Sequence, residues 1–194
     1  VDANLDGNPD LVVANGHLVN DVHHRVPYRM LPQFFLNRGN AQFDEIPAKS
    51  LGNYFTRVRL GRGLALIDFD RNGREDFAVT HLYEPVELVA NRTETQNHYL
   101  TLKLRARTSS RDAFGAKVTV VTENGTRIRE LVAGSGFQAA NERQLIFGLG
   151  NSTVIQRLTI DWPCGLSQEF SVSAVDSAWI AVEGWPKLVS DPVE

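Results

Sequence analysis

The stretch that decides the fold is Asp68-Phe69-Asp70-Arg71-Asn72-Gly73-Arg74-Glu75-Asp76, and Asp2-Ala3-Asn4-Leu5-Asp6-Gly7-Asn8-Pro9-Asp10 repeats its pattern. Both stretches read D-x-[DN]-x-[DN]-G-x-x-D. Oxygen-bearing side chains stand at positions 1, 3, 5 and 9, and the glycine at position 6 permits a tight turn. A hard cation such as Ca²⁺ takes several oxygen ligands at about 2.3–2.6 Å, and this spacing supplies them from one short loop. The chain is therefore predicted to hold two calcium loops, called here the first loop (residues 2–10) and the second loop (residues 68–76).

The flanks of the two loops exclude an EF-hand. An EF-hand needs a bidentate Glu at position 12 and a helix on each side, but position 12 is Val13 in the first copy and Val79 in the second. Short apolar runs surround the loops, at residues 11–14, 64–67 and 77–80. Runs of this length are typical of buried strands. Each loop is therefore expected to join two β-strands.

The ligand candidates follow from the spacing. Candidates that would coordinate through their side chains are Asp2, Asn4, Asp6, Asp10, Asp68, Asp70, Asn72 and Asp76, and candidates that would offer carbonyl oxygens are Asn8 and Arg74. Clustered carboxylates repel one another without a cation, so the metal is expected to contribute to folding. A ligand shell supplied by the protein leaves no open position, which favours a structural metal over a catalytic one.

Composition limits the classes of partner. A net charge of −3 argues against a nucleic-acid binder, and no apolar stretch approaches the roughly 20 residues that span a bilayer, so membrane insertion is not expected. The first loop has no strand before it, which predicts that the natural protein extends further toward the N-terminus. The exposed strand edges of such a fragment are expected to self-associate.

Repeats and periodicity predict an all-β chain. Residues 33–43 read as a hairpin, and residues 86–92 resemble its first strand, so residues 1–95 are predicted to form blades of a partial β-propeller. From His98 apolar and polar residues alternate, and residues 96–186 are predicted to form a small antiparallel β-sandwich or barrel, followed by a tail at residues 187–194. Its later strands are predicted at residues 117–122, 127–132, 143–147, 154–162, 169–172 and 179–182.

The two halves resemble known families. The first resembles FG-GAP/VCBS repeats, the calcium-loop blades of integrin-type propellers, in its two loops and in the segments at residues 13–17 and 35–39. The second resembles the ASPIC/UnbV domain, and the segments that carry this resemblance are residues 97–102, 110–118, 134–137, 147–150 and 161–165. The combination is similar to the C-terminal end of proteins of the cartilage acidic protein and UnbV type. The resemblance implies a calcium-binding protein that is secreted, extracellular or periplasmic.

The leading hypothesis is a non-enzymatic protein that acts in adhesion or ligand recognition, with an extracellular protein or a glycan as its partner. A carbohydrate- or polyanion-binding module is one alternative, because Trp162, Trp179 and Trp185 could stack on sugars and a basic stripe follows residues 103–107. Core packing and a solvated strand face are the favoured explanations of these two features. An enzyme or biosynthetic accessory protein of the UnbV type is the other alternative. No catalytic constellation is visible in the sequence, and His17, His23 and His24 beside Asp21 favour a turn over a transition-metal site.

Overall fold

The computed structural model describes residues 1–20, 23 and 26–191, and their regular structure is nearly all β. Within these residues the strands are β1 (Leu11–Val13), β2 (Gln33–Asn37), β3 (Phe43–Glu45), β4 (Gly61–Ile67), β5 (Asp76–His81), β6 (Glu84–Val89), β7 (His98–Arg105), β8 (Lys117–Thr122), β9 (Gly125–Glu130), β10 (Leu145–Gly150), β11 (Arg157–Asp161), β12 (Ser167–Phe170), β13 (Ser177–Val182) and β14 (Val189–Ser190). Two short 3-10 helices, Ala48–Ser50 and Asn53–Thr56, lie between β3 and β4. The prediction of an all-β chain is confirmed.

Two three-stranded antiparallel sheets make up the first half. They have the orders β1-β2-β3 and β4-β5-β6, and the predicted hairpin of residues 33–43 corresponds to β2 and β3. Their apolar faces share one cluster with the second 3-10 helix, whose Tyr54 and Phe55 are buried together with Phe34, Phe77 and Val79. The ring of Tyr54 meets that of Phe77 edge-on, with the centroids 5.5 Å apart. Neighbouring sheets thus bury their faces against each other, an arrangement consistent with a β-propeller-like fold.

Two four-stranded sheets, β10-β7-β13-β14 and β12-β11-β8-β9, form a sandwich in the second half. Both sheets contribute to one core, which includes Leu100 and Leu102 from β7, Phe147 from β10, and Val118 and Ile160 from the facing sheet. The alternation predicted from residue 98 therefore places its apolar side inside. Within the described residues, the strands of this half form two separate sheets and no closed barrel, so the sandwich is the alternative that the structure supports. Part of the predicted tail belongs to it, because β14 pairs with β13.

One strand pair differs from the antiparallel expectation. Strands β7 and β13 run parallel, with Ser177 opposite Leu100 and Val182 opposite Arg105. Between them the chain leaves the sheet, forms β8 and β9 opposite, returns for β10 and crosses again for β11 and β12. Because β13 enters from the opposite sheet instead of from a hairpin, its direction is not tied to that of its neighbour. The predicted strand at residues 154–162 is also shorter, since β11 covers only Arg157–Asp161.

Candidate metal centres

The second loop connects β4 to β5 in the predicted manner. Asp68 directly follows the last residue of β4, and Asp76 is the first residue of β5. Carboxylate oxygens of Asp68, Asp70 and Asp76 lie within 4.8 Å of one another. Asp68 is 3% exposed and Asp76 is fully buried. The structure therefore brings three of the predicted ligands together at the corner between two strands.

Backbone N–H groups hold these carboxylates in place. Asp68 accepts from the N–H of Gly73 at 2.9 Å and from that of Asn72 at 3.0 Å. Asp76 accepts from the N–H of Phe69 at 3.2 Å and from that of Asn91 at 2.6 Å. The loop is wound around its own acidic side chains, and Gly73 has the positive φ of 78° that this turn requires. These hydrogen bonds fix both ends of the second loop.

The charge of the second loop is incompletely balanced. Burial raises the pKa of Asp68 and of Asp76, the donated N–H groups oppose that rise, and Asp70 adds to it by repulsion. Asp70 Oδ2 accepts from Arg92 Nη1 at 2.7 Å, whereas Asp70 Oδ1 is buried without a hydrogen-bond partner. A buried carboxylate oxygen without a partner is unfavourable. The donor set is made of hard oxygens, so it fits Ca²⁺ in type and in charge.

The first loop shares several of these hydrogen bonds. Asp2 Oδ2 accepts from the N–H of Gly7 at 2.9 Å, as Asp68 does from Gly73. Asp10 accepts from the N–H groups of Ala3 and Asn37, as Asp76 does from Phe69 and Asn91. These shared hydrogen bonds are the expected result of an internal repeat. Among the described residues, a cluster of three acidic groups within 4.8 Å of one another is found at the second loop and not at the first.

Asp2 is the most perturbed acidic group of the first loop. It is fully buried, and its Oδ1 has no hydrogen-bond partner. Burial raises the pKa of Asp2 to about 6, Asp6 and Glu75 add to the rise by repulsion, and Arg129 lowers it. Burial likewise raises the pKa of Asp10. A buried carboxylate oxygen without a hydrogen-bond partner is the feature that a bound cation would satisfy.

The other predicted ligands lie within their loops. Asn4 faces Asp6, since its Nδ2 donates to Asp6 Oδ2 at 3.1 Å and its Oδ1 accepts from the N–H of Asp6 at 3.1 Å. Asp6 Oδ1 accepts from the N–H of Asn8 at 2.7 Å. Asn72 Oδ1 accepts in the same way from the N–H of Arg74 at 2.9 Å. The ligand roles of these five residues, like those of the five aspartates at positions 2, 10, 68, 70 and 76, remain predictions.

Asn91 is a site residue that the sequence analysis did not identify. Its N–H donates to Asp76 of the second loop, and its Nδ2 donates to the carbonyl oxygen of Ala3 in the first loop at 3.0 Å. It therefore bridges the two loops. The signal was present in the sequence, because the pair Asn-Arg recurs at Asn37-Arg38, at the end of β2, and at Asn91-Arg92, shortly after β6.

The histidines of the first half give no sign of a transition-metal site in the described residues. His17 Nδ1 lies 2.7 Å from the carbonyl oxygen of Val19, and the backbone N–H of His17 donates to the carbonyl oxygen of Tyr28. This geometry agrees with the turn favoured from the sequence. Asp21 and His24, which were considered with His17 and His23, lie outside the described residues.

The tryptophans do not form a common platform. Trp162 is 2% exposed and belongs to the sandwich core, and Trp179 packs against that core. Trp185 is 46% exposed. The expectation of core packing for the first two is confirmed. In the basic stripe, Lys103 forms an ion pair with Asp191 at 2.7 Å.

Comparison with known families agrees with this geometry. Residues 2–79, which contain both loops, match the model of the FG-GAP-like repeat. Residues 106–186, which contain most of the sandwich, match the model of the ASPIC and UnbV family. The first segment is thus similar to an FG-GAP-like repeat and the second to an ASPIC and UnbV domain. The resemblance stated from the sequence is thereby confirmed.

The chain is also similar in sequence to a protein of a frog. The chain is 30% identical over 109 residues to cartilage acidic protein 1 of Xenopus tropicalis. The match covers 54% of this chain and 16% of the relative, so the chain spans well under two thirds of that protein's length. Neither the descriptions of the two families nor the name of the relative refers to an enzymatic activity. Among the described residues, no helix is long and apolar enough to cross a membrane.

Proposed function

We propose that this chain is part of an extracellular, non-enzymatic protein of adhesion or ligand recognition, in which Ca²⁺ stabilises the FG-GAP-like repeat. The observation that carries the proposal is the cluster of Asp68, Asp70 and Asp76, whose carboxylate oxygens lie within 4.8 Å of one another. Three acidic groups held this close repel one another unless a cation lies among them. Asp70 Oδ1, buried without a partner, supports the same conclusion.

The position of the cluster favours a structural role for the metal. It lies at the corner between β4 and β5, and Asp68 and Asp76 each accept two backbone N–H groups that fix them there. Bound Ca²⁺ would supply the positive charge that these carboxylates lack. Asp68 and Asp76 would then hold the ends of the two strands at a fixed separation, which stabilises the blade as a rigid surface for recognition.

The extracellular location rests on the family match and on the relative. FG-GAP-like repeats resemble the blades of integrin-type propellers, and the relative is named a cartilage acidic protein. Millimolar Ca²⁺ outside cells would fill sites of moderate affinity, as in other extracellular modules. Secreted, cell-surface and periplasmic locations all fit this requirement.

The test is a thermal melt with and without chelator. A Ca²⁺ concentration a hundred times the dissociation constant of a site stabilises the folded protein by about 2.7 kcal/mol for that site. EDTA should therefore lower the melting temperature, and the double variant Asp70→Ala and Asp76→Ala should reproduce much of that loss while responding less to Ca²⁺. The matched control is Asp44→Ala with Asp161→Ala, which removes two exposed carboxylates and should leave the response intact. Equal melts of the wild type in EDTA and in Ca²⁺ would refute a structural metal.

The carbohydrate-binding alternative depends on exposed aromatic rings, and of the three tryptophans only Trp185 is substantially exposed. A glycan array distinguishes it from the leading proposal. Glycan binding that persists in EDTA and is lost in Trp185→Ala would favour a sugar-binding module. Binding that requires Ca²⁺ would instead favour recognition by the repeat.

A further inference from the structure

We infer that the first loop is positioned from outside by the ASPIC and UnbV domain, so that Ca²⁺ binding to this loop and docking of the domain stabilise each other. The inference rests on the proposed calcium function and adds the residues of the sandwich that act on the loop. These are Gly148 and Gly150 of β10 and Arg127 of β9. None of them is a candidate ligand, and all lie more than 100 residues from the loop in sequence.

Gly148 packs directly against the first loop. A Cβ atom at this position would lie 2.1 Å from Asp2 Oδ2 and 2.6–2.7 Å from the backbone of Leu5. Real Cβ contacts are not this short, so the loop rests on β10 at a point where no side chain fits. Gly148 does not have the positive φ that favours glycine. Close approach of the loop, not backbone conformation, is therefore the structural requirement for glycine here.

A hydrogen bond beside this contact holds the loop at a strained residue. Leu5 has a positive φ of 59°, which is unfavourable for a residue with a branched side chain. Its carbonyl oxygen accepts from the N–H of Gly150 at 2.9 Å, and its side chain is 2% exposed. Arg71, at the same position of the second loop, has a φ of 57°, so the turn of the loop itself requires this conformation. The hydrogen bond from Gly150 fastens that turn to β10.

Arg127 covers the turn of the loop. Its Nη2 donates to the carbonyl oxygen of Asp6 at 3.2 Å. Its guanidinium lies over Gly7, since a Cβ atom added to this glycine would lie 2.1 Å from Arg127 Nε. Gly7 is also the residue whose N–H binds Asp2 Oδ2. The same turn therefore faces the carboxylates on one side and the sandwich on the other.

Coupling follows from this shared geometry. If the sandwich fixes Leu5 and Gly7, it lowers the conformational cost of arranging Asp2 and Asp6 around a cation. By linkage, a cation that fixes the loop must favour docking of the sandwich by the same factor. Ca²⁺ bound in the repeat should therefore stabilise the ASPIC and UnbV domain, although it touches no atom of it.

The decisive variant is Gly148→Ala, with Gly134→Ala as its matched control. Gly134 also lies in the second half, and a Cβ atom there would meet nothing closer than 3.8 Å. Calorimetric titration of the whole chain with Ca²⁺ should show two binding events in the wild type and in the control. In Gly148→Ala the affinity of one event should fall at least about tenfold, a typical size for coupling between sites. The larger loss is expected at the first loop, because a Cβ at position 148 would meet Asp2 and Leu5, whereas the second loop contacts the sandwich at Tyr99.

Tryptophan fluorescence provides a readout that belongs to the sandwich alone. Trp162, Trp179 and Trp185 are the three tryptophans of the chain, and all lie in the second half. Ca²⁺ should raise the melting temperature reported by fluorescence in the wild type and in Gly134→Ala, and should raise it less in Gly148→Ala. Unchanged calcium affinity together with an unchanged shift in Gly148→Ala would overturn the inference.

Arg127→Gln provides a second test if Gly148→Ala does not fold. Loss of a positive charge near the loop would by itself favour cation binding. About fivefold weaker binding in Arg127→Gln would therefore support positioning, and unchanged or tighter binding would contradict it. Arg157→Gln removes an exposed arginine from β11 and is the control. If the wild type binds no Ca²⁺, the proposed function fails. If it binds Ca²⁺ but neither variant weakens the binding, only the coupling fails.

Discussion

Asp2→Asn should stabilise the metal-free protein while removing its response to Ca²⁺ at the first loop. Asp2 is fully buried, and its Oδ1 has no partner. Burial raises the pKa of Asp2 from 3.8 to about 6. The carboxylate is therefore ionised at neutral pH in an environment that favours its neutral form. An asparagine keeps the shape of the side chain and removes the charge.

The size of the effect follows from this pKa. The folded state holds the Asp2 proton more tightly than the unfolded chain, so the free energy of unfolding falls as pH rises from about 4 to about 6. A difference of about 2 pKa units corresponds to a destabilisation of the folded state by about 3 kcal/mol. This destabilisation is complete above pH 6 and absent below pH 4. The new amide N–H has no partner either, so we expect Asp2→Asn to recover about 2 kcal/mol of this at pH 7.

The assay is urea unfolding followed by circular dichroism, in EDTA and in excess Ca²⁺, at pH 5 and pH 7. In EDTA the wild type should be less stable at pH 7 than Asp2→Asn, and the difference should shrink at pH 5. In Ca²⁺ the order should reverse, because a bound cation stabilises the ionised carboxylate. Asp44→Asn, at an exposed position, is the control. A metal-free Asp2→Asn protein that is less stable than the wild type at pH 7 would refute the reasoning.

Three further predictions concern the contacts around the loops, the sandwich and the sheet edges. Gly73→Ala should lower the free energy of unfolding in urea by about 3 kcal/mol, because its φ of 78° strains an alanine and the new Cβ overlaps the ring of Tyr99. The control Gly184→Ala has a φ of 79° but open space around it, so it should lower the free energy of unfolding by only about 1 kcal/mol. Glu183→Ala should cost about 1–3 kcal/mol by chemical denaturation, since the buried carboxylate accepts the backbone N–H groups of residues 107–109. Sedimentation should show a concentration-dependent dimer formed through the sheet edges at β3 and β6, and a monomer at all concentrations would contradict this expectation.

Local patterns located most of the strands and the position of the second loop between two of them. The apolar runs beside Asp68 and Asp76 correspond to β4 and β5, and the predicted strand at residues 117–122 has the bounds of β8. Alternation along a strand reports which side is buried, and the spacing of acidic residues reports a shared loop. Both signals are contained within about ten residues.

Contacts between distant segments were not accessible in this way. The parallel pairing of β7 with β13 depends on the path of the chain between them, which no local alternation encodes. The role of Gly148 was likewise hidden, because a glycine within a strand gives no indication of which segment lies against it. Thr101, a polar residue of the alternating segment that begins at His98, is buried, and alternation alone does not reveal this.

The parallel pair has a consequence for the order of folding. Strand β7 lies in the middle of its sheet between β10 and β13, yet its partner Val182 follows Arg105 only after most of the domain has been synthesised. Contacts of such high sequence separation form slowly, because the intervening loop must first be closed. A nascent chain would therefore expose one edge of β7 until β13 emerges. This interval is when the domain is most open to aggregation, and a chaperone would be most useful then.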